Sequence, residues 1–288
     1  MLPLLYIKPD SLFILYTDTT AKQERNLSRI ISEKNLVHEE INKLKITPYG
    51  LEENITKLKS LFLNKKEDEL IFNITGGTKI MSIALFEIAQ QMKSDIVYLQ
   101  SEGSQSILYR YTYKETGYSE EKITLGELID LDLYLTSHIG YYGKRERVDG
   151  VGGLFEKAIS DALKQNGFEV LESIEPHKEG KQLEIDLVLR LKGTNNVAIA
   201  EVKGGDKSEE GPKKGIEQLA LAGQRDYLGI YTKRFLIISR RLSKPIRELA
   251  QAHKIIIIDE IETERSGLVL TEKSKNKLLQ AIKEKLNN

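Results

Sequence analysis

Short apolar runs alternate with longer amphipathic segments along the first hundred residues of the chain. The short runs have the length and composition of buried strands, and the longer segments repeat apolar residues at helical spacing. The predicted strands cover residues 11–17, 69–74 and 95–100, and the predicted helices cover 22–34 and 80–92. This alternation indicates a parallel sheet, so we expect a Rossmann-like α/β domain over residues 1–115, closed by an antiparallel strand at 106–113.

The pattern breaks after this domain and then returns to α/β. Residues 116–150 have a polar start, a helix expected over 123–137 and a loop over 140–147, and are predicted to connect two domains. Residues 151–288 mix helices and strands again and form the predicted second domain. Its predicted elements are a helix ending at Asn166–Gly167, a hairpin of 183–191 with 197–203, a helix over 215–224 and a strand over 235–239.

The hairpin is expected to bring two acids and one amine together. Side chains two residues apart on a strand share a face, so Glu201 and Lys203 point the same way and Val202 enters the core. Antiparallel pairing then sets Asp186 opposite them. Carboxylates suit Mg²⁺ or Mn²⁺, and a bound cation can activate water for attack on a phosphate. The pattern favours a metal-dependent phosphodiesterase, and its plainer alternative is a Glu and Lys pair on an exposed hairpin edge.

With the helix that precedes it, the hairpin resembles the restriction-endonuclease-like PD-(D/E)xK nucleases. Ile185 stands where the name of that family has Pro. The resemblance implies that Asp186 and Glu201 are metal ligands. It also implies that Lys203 helps to hold the attacking hydroxide and stabilises the developing negative charge.

The same resemblance implies two further site residues on helices. The first helix of such nucleases often gives a Glu to the metal site, and Glu156 is the candidate for this third ligand. A glutamine from the helix after the hairpin often completes the site, and Gln218 is favoured over Gln224 because it is nearer the lysine strand. The alternatives are a favourable charge at a helix N-terminus for Glu156 and a solvated helix position for either glutamine.

A second candidate site lies where the strand at 69–74 runs into the helix at 80–92. The turn Thr75–Lys79 (TGGTK) exposes backbone N–H groups at a helix N-terminus, where an anion is favoured. Neither the P-loop nor the GxGxxG spacing is present, so a dinucleotide cofactor is not expected, and an ordinary glycine turn stays the alternative. Ligands in open parallel sheets bind beyond the carboxyl ends of the strands. The candidate ligand-binding residues are Thr17, Asp18, Thr19, Asn73, Thr75, Gly76, Gly77, Thr78, Lys79 and Gln100.

Three stretches together resemble the CRISPR-associated Rossmann fold (CARF) effectors with a C-terminal restriction-endonuclease-like nuclease. They are Leu15–Thr20 (LYTDTT), Asn73–Lys79 (NITGGTK) and Glu201–Lys203 (EVK). The resemblance implies a role in type III CRISPR antiviral defence. A cyclic oligoadenylate, usually cyclic tetra-adenylate, would bind a homodimer of the Rossmann domain and activate a Mn²⁺- or Mg²⁺-dependent endonuclease. A two-fold dimer can present the same patch to each half of a symmetric ring. The expected substrate is DNA, RNA or both, because no base-reading element is visible.

The net charge of the whole chain does not indicate a binding partner, but the charge of one segment does. The 43 basic and 43 acidic residues cancel, so the whole chain offers no electrostatic case for nucleic acid. Between Gly204 and Lys254, eleven Lys and Arg stand against six Asp and Glu, a local net of +5. A basic margin beside a carboxylate site suits sequence-independent phosphate binding. Arg234, Arg240 and Arg241, which flank the strand at 235–239, are its candidate contacts.

Cysteine usage and the N-terminus point to a cytoplasmic protein with no membrane partner. The absence of cysteine excludes disulfides, thiol catalysis and Cys-based zinc sites, and it fits a reducing compartment. The first residues lack the basic start of a secretion signal, and no apolar run is long enough to span a membrane. Two other functions stay open: an ungated nuclease of DNA repair or restriction, and a non-catalytic nucleotide-sensing regulator that binds nucleic acid.

Overall fold

The chain folds into two compact units, residues 1–128 and 129–288. The structure, a computed structural model, describes residues 1–62, 70–103, 105–145, 150–176, 183–205, 208–224, 227–228 and 232–287. Both units mix helices and strands, which confirms the predicted two-domain α/β class. In the described part of the chain, no helix combines the length and the hydropathy needed to cross a bilayer.

The first unit carries a parallel strand pair and a larger mixed sheet. β1 and β2 are parallel, β3 and β4 are parallel, and β5 and β6 extend the second sheet as an antiparallel meander. The strands are β1 (Leu12–Tyr16), β2 (Ile41–Lys45), β3 (Ile71–Asn73), β4 (Asp95–Glu102), β5 (Gln105–Lys114) and β6 (Gly117–Leu125). The helices are α1 (Leu2–Ile7), α2 (Ala21–Glu33), α3 (Leu51–Phe62) and α4 (Lys79–Gln91), with a 3₁₀ turn at Asp18–Thr20.

One aromatic side chain joins the two sheets of this unit. Phe62, at the end of α3, packs edge-to-face on Phe13 of β1, with ring centroids 5.0 Å apart, and on Phe72 of β3 at 5.6 Å. Leu58 and Ile88 complete the same core from α3 and α4. Because this cluster includes residues of both sheets, the ends of β1 and β3 are held within one folded unit.

The second unit is built on one six-stranded sheet in the order β12-β11-β10-β9-β8-β7. Strands β7 to β10 are antiparallel, and β10 to β12 are parallel. The strands are β7 (Tyr142–Lys144), β8 (Phe168–Pro176), β9 (Ile185–Leu191), β10 (Val197–Lys203), β11 (Lys233–Ile238) and β12 (Ile256–Ile258). The helices are α5 (Leu131–Ile139), α6 (Val151–Gln165), α7 (Glu210–Ala222), α8 (Lys244–Ala252) and α9 (Glu272–Asn287).

Helices cover both faces of this sheet, so its central strands are buried on both sides. The core of one face takes apolar side chains from α6 and α9, and that of the other face takes them from α5, α7 and α8. All but the last residue of β9 and of β10 are buried, although these strands carry Asp186 and Glu201. Charged groups at such positions require partners, which the candidate site supplies.

The segment interpreted as a connector is divided between the two units. Residues 117–125 pair with β5 along their whole length as β6, so the helix expected over 123–137 was placed too early. That helix, α5, begins at Leu131, where the Asp130 carboxylate accepts a 2.7 Å hydrogen bond from the Leu133 amide. Part of the loop expected over 140–147 is the edge strand β7, while residues 146 and 147 lie outside the described residues.

Candidate functional site

The hairpin of β9 and β10 brings Asp186, Glu201 and Lys203 into direct contact. The antiparallel register runs from Val197 opposite Arg190 to Ala200 opposite Leu187, as predicted. Just beyond it, Asp186 Oδ2 accepts a 2.7 Å hydrogen bond from the backbone N–H of Val202 and lies 3.2 Å from Lys203 Nζ. Lys203 Nζ also donates to Glu201 Oε2 at 2.9 Å. One ammonium therefore bridges two carboxylates.

Burial and charge shift the pKa values of Glu201 and Lys203. The side chain of Glu201 is 1% exposed, and burial, with the adjacent charge of Asp186, raises its pKa well above the ordinary range. Burial alone would lower the pKa of Lys203, but the charges of Glu201 and Asp186 outweigh it and that pKa lies above its ordinary range. Lys203 therefore carries its proton at neutral pH, as an electrostatic group and not as a base.

Glu156 lies in the first half of α6, and neighbouring residues of this helix contact the segment that follows β10. The preceding residue, Phe155, packs against Gly204 so tightly that a Cβ there would lie 2.6 Å from its ring. A Cβ on Gly205 would lie 3.0 Å from Val151 in the first turn of the same helix. Glu156 is partly buried, and its Oε1 is enclosed. This helix thus reaches the chain segment that leaves the candidate site.

Among the described residues, no group of three or more His, Cys, Asp and Glu side chains is arranged to hold a metal ion. Asp186 and Glu201 form a pair of acids, and the role of Glu156 as a third metal ligand stays a prediction. A Mg²⁺ site commonly uses only one or two carboxylates and keeps several waters, so a pair is a sufficient protein donor set.

Helix α7 packs on the face of the sheet that carries Glu201 and Lys203, opposite to the face that α6 covers. A Cβ on Gly215 would make ordinary contacts with Lys203 Cε at 3.5 Å and Glu201 Cβ at 3.6 Å, so α7 packs directly beside these two side chains. Gln218 is one helical turn further along and half-buried, whereas Gln224 is exposed beyond the helix end at Ala222. The structure therefore places Gln218 on the site-facing side of α7.

The three arginines expected at a basic margin lie at two different ends of β11. Arg234 is level with Ile199 and lies against the end of α7, where a Cβ on Gly223 would be 2.5 Å from its Nη1. Arg240 and Arg241 follow the other end of the strand, where Ile238 pairs with Lys203. Of the three arginines, only Arg240 and Arg241 thus lie at the end of the sheet that carries the acidic cluster.

In the first unit, side chains of the Asn73–Lys79 turn hold the turn together. Asn73 Oδ1 accepts hydrogen bonds from the N–H and the hydroxyl of Thr75, at 3.0 and 2.6 Å, and Thr75 Oγ1 accepts from the amide of Leu99 at 2.8 Å. Gly77 has a φ of 88°, which favours glycine. Thr78 caps α4 by accepting a 3.2 Å bond from the amide of Met81.

Asn73, Thr75, Gly76, Gly77 and Lys79 of this turn are all exposed, and the first two are engaged in the bonds that hold the turn together. Gln100 is also exposed, on β4 directly after Leu99, whose amide binds Thr75. These positions lie at the carboxyl end of β3, where an anionic ligand is expected.

Thr17, Asp18 and Thr19 line a pocket of about 430 Å³ at the carboxyl ends of β1 and β2. The opposite walls carry residues that the sequence did not single out: Lys45, Ile46, Thr47, Pro48, Glu53 and Lys57. Thr78 Oγ1 donates to the carbonyl of Pro48 at 2.5 Å, which joins this pocket to the glycine turn. Both candidate ligand segments thus border one continuous region of the unit.

The missed residues belong to β2, to α3 and to the loop between them, where the sequence signals are weak. β2 reads Ile41–Asn–Lys–Leu–Lys45, with charged residues between the apolar ones, and it lies at an edge. In the parallel register, Lys45 at the end of β2 lies level with Tyr16 at the end of β1. Because ligands bind beyond the carboxyl ends of parallel strands, this position could have indicated the pocket.

Comparison with known proteins identifies the first unit. Residues 6–128 match the model of the Card1 CARF domain. The N-terminal unit is a CARF domain. No curated protein sequence matches the chain significantly.

Solved structures resemble both the CARF domain and the second unit. Can2 from Sulfobacillus thermosulfidooxidans, solved with cyclic tetra-adenylate, aligns with a TM-score of 0.73 and 16% identity, over 100% of this chain and 95% of Can2. Protein VC1899 from Vibrio cholerae aligns with a TM-score of 0.67 and 12% identity, over 99% of this chain and 97% of VC1899. A type III CRISPR defence DNA nuclease activated by cyclic oligoadenylate aligns with a TM-score of 0.57 and 12% identity, over 96% of this chain and 50% of the nuclease. At such identities the likeness shows a common fold.

Proposed function

We propose that the protein is a metal-dependent endonuclease of type III CRISPR antiviral defence that a cyclic oligoadenylate activates. Residues 1–128 are the ligand sensor, and residues 129–288 are the restriction-endonuclease-like nuclease. The observation that carries the proposal is the contact of Asp186, Glu201 and Lys203 in the same chain as a CARF domain. Can2 with its bound cyclic tetra-adenylate and the CRISPR nuclease support it as structures of the same fold.

The donor set of the nuclease site fits Mg²⁺ or Mn²⁺. Two carboxylates converge in a buried place, where burial and Asp186 raise the pKa of Glu201, and a divalent cation would offset that cost. Asp186 and Glu201 would hold the ion, with Glu156 as the proposed third ligand. A bound ion would supply an activated water and neutralise charge on the scissile phosphate.

The other side chains act directly on the substrate. The ammonium of Lys203, held at 2.9 and 3.2 Å from the two carboxylates, is placed to stabilise negative charge on the phosphate oxygens and on the attacking hydroxide. Gln218 would orient this group or the substrate from α7. Arg240 and Arg241 would contact the nucleic-acid backbone without reading its sequence.

In the sensor, the ring phosphates would meet Lys79 and the N–H groups of the glycine turn. Thr17, Asp18, Thr19 and Gln100 are the proposed contacts around it, and Asn73 and Thr75 keep the turn in shape. Activation requires that the ligand favours one arrangement of the dimer through contacts that differ between states.

The test is a cleavage assay on single-stranded DNA, supercoiled DNA and RNA, with Mn²⁺ or Mg²⁺ and with cyclic tri-, tetra- or hexa-adenylate. We expect cleavage that needs both the metal and one ring, with cyclic tetra-adenylate the most effective. Full cleavage without any ring would indicate an ungated nuclease. Ring binding without cleavage of any substrate would indicate a non-catalytic regulator.

An exposed apolar stripe on α4 supports a homodimer of the CARF domain. Ile83 is 50% exposed and Phe86 39%, and with Lys79 they follow helical spacing along one face that starts at the glycine turn. Exposed apolar patches of this kind mark interaction surfaces. A two-fold axis beside this face would bring two turns to one ring.

Ile83→Glu is therefore expected to shift the protein from dimer to monomer in analytical ultracentrifugation and to abolish the response to cyclic tetra-adenylate. A charge buried in a dimer interface without a partner costs several kcal/mol, on the order of a hundredfold or more in the dimer constant. Tyr6→Glu, at an exposed apolar position of α1, is the control and should stay dimeric. A dimeric, responsive Ile83→Glu would place the interface elsewhere.

A further inference from the structure

One wall of the pocket at the carboxyl ends of β1 and β2 is formed by α3 and not by the glycine turn. Glu53 and Lys57, one turn apart on α3, form an ion pair of 2.6 Å, and Thr47 Oγ1 donates a 3.0 Å hydrogen bond to the other carboxylate oxygen of Glu53. The carboxylate is thereby held from two sides and lines the pocket with the ammonium beside it. A hydrogen-bond acceptor and a donor thus lie next to each other at the pocket wall.

This pair is complementary to one edge of adenine. The N6 amino group of adenine donates hydrogen bonds, and the adjacent N7 accepts them. The carboxylate of Glu53 can accept from N6 while the ammonium of Lys57 donates to N7. Guanine has an acceptor, O6, in place of the amino group, and a carboxylate repels it. The same holds for hypoxanthine, which differs from adenine in this edge by one oxygen.

We propose that the pocket is an adenine subsite in which Glu53 and Lys57 read the base of the activator. The volume of about 430 Å³ lies within the roughly 300–1,000 Å³ of small-molecule sites. The bond from Thr78 to the Pro48 carbonyl connects the pocket wall to the turn proposed for phosphate, so a base and its phosphate can bind together. In a two-fold dimer, two such subsites would take two of the four bases of cyclic tetra-adenylate.

This inference rests on the proposed function, and its test separates the two. Calorimetry on the full chain would compare cyclic tetra-adenylate with cyclic tetra-inosinate, in which an oxygen replaces each N6 amino group. The wild type is expected to bind the adenylate at least about tenfold more tightly, the usual effect of one charge-assisted hydrogen bond. Glu53→Gln can present either an acceptor or a donor and is expected to narrow this ratio to about threefold or less, chiefly through tighter binding of the inosinate.

Two more variants sharpen the result. Lys57→Met is expected to weaken both rings by a similar factor of about ten, because N7 is common to both bases. Glu52→Gln, one residue before Glu53 and outside the pocket, is the matched control and should keep the wild-type ratio. A Glu53→Gln protein that keeps the wild-type ratio overturns the subsite, even where cyclic tetra-adenylate binds and activates. A wild type that binds no cyclic adenylate overturns the subsite and the proposed function together.

Discussion

Glu201→Gln is expected to abolish cleavage while leaving the binding of cyclic tetra-adenylate unchanged. The substitution keeps the shape of the side chain and removes one of the two charges that would hold the metal. Because a bound cation contributes several kcal/mol to catalysis, the activator-dependent rate should fall by at least about a hundredfold. The measurement is the cleavage rate under saturating cyclic tetra-adenylate and Mn²⁺, with calorimetry of the ligand as the second readout.

Thermal unfolding distinguishes a metal ligand from a structural residue at this position. Mn²⁺ should raise the melting temperature of the wild type and have little effect on Glu201→Gln, because a ligand stabilises only the form that binds it. The variant itself should melt no lower than the metal-free wild type, since it loses a buried carboxylate that lies next to another. Glu217→Gln, an exposed acid on α7, is the control. Activity retained in Glu201→Gln would place the metal site elsewhere.

Thr75→Ala combined with Lys79→Ala is expected to weaken cyclic tetra-adenylate binding by about ten- to a hundredfold and to raise the activator concentration needed for cleavage. Lys79 would lose one charge-assisted phosphate contact, worth roughly 1.5–3 kcal/mol. Thr75→Ala would remove the acceptor for the Leu99 amide and loosen the turn. Cleavage should partly recover at saturating ligand, because the two substitutions leave the proposed nuclease site unchanged.

The single variants separate the two contributions. Thr75→Ser keeps the hydroxyl and is expected to bind almost as the wild type does, whereas Lys79→Met should show most of the loss. Lys114→Ala removes an exposed charge at the far end of β5, which lies beyond the amino end of β4, and serves as the control. Wild-type affinity in the double variant would reduce the turn to an ordinary link between strand and helix.

The contact of Asp186, Glu201 and Lys203 was predictable because a strand has a strict two-residue period. Once 183–191 and 197–203 were read as a hairpin, the sharing of one face by Glu201 and Lys203 and the approach of Asp186 followed. The pocket walls at Glu53 and Lys57 were not predictable in this way. On a helix, an acid and a lysine four residues apart are a common surface pair, and only the tertiary fold shows that they face the end of β1.

At the boundary between the two units, the sequence pattern predicted the wrong element. Residues 117–125 read as a polar stretch followed by a helix, because exposed positions of an outer strand carry the charges that sheet edges favour. Antiparallel pairing with β5, across the tight turn between Lys114 and Gly117, decided the outcome against the apparent helical pattern of 123–125.

The amide of Val202 makes a change at Asp186 more costly than a change at Glu201. Asp186 accepts the hydrogen bond of this amide where β9 and β10 part, so losing its carboxylate would leave a buried N–H unsatisfied and also remove one of the two proposed metal ligands. Among the described contacts, the carboxylate of Glu201 accepts from Lys203 Nζ and from no backbone amide. In a lineage that gave up cleavage but kept its fold, we expect the glutamate to drift first and the aspartate to persist.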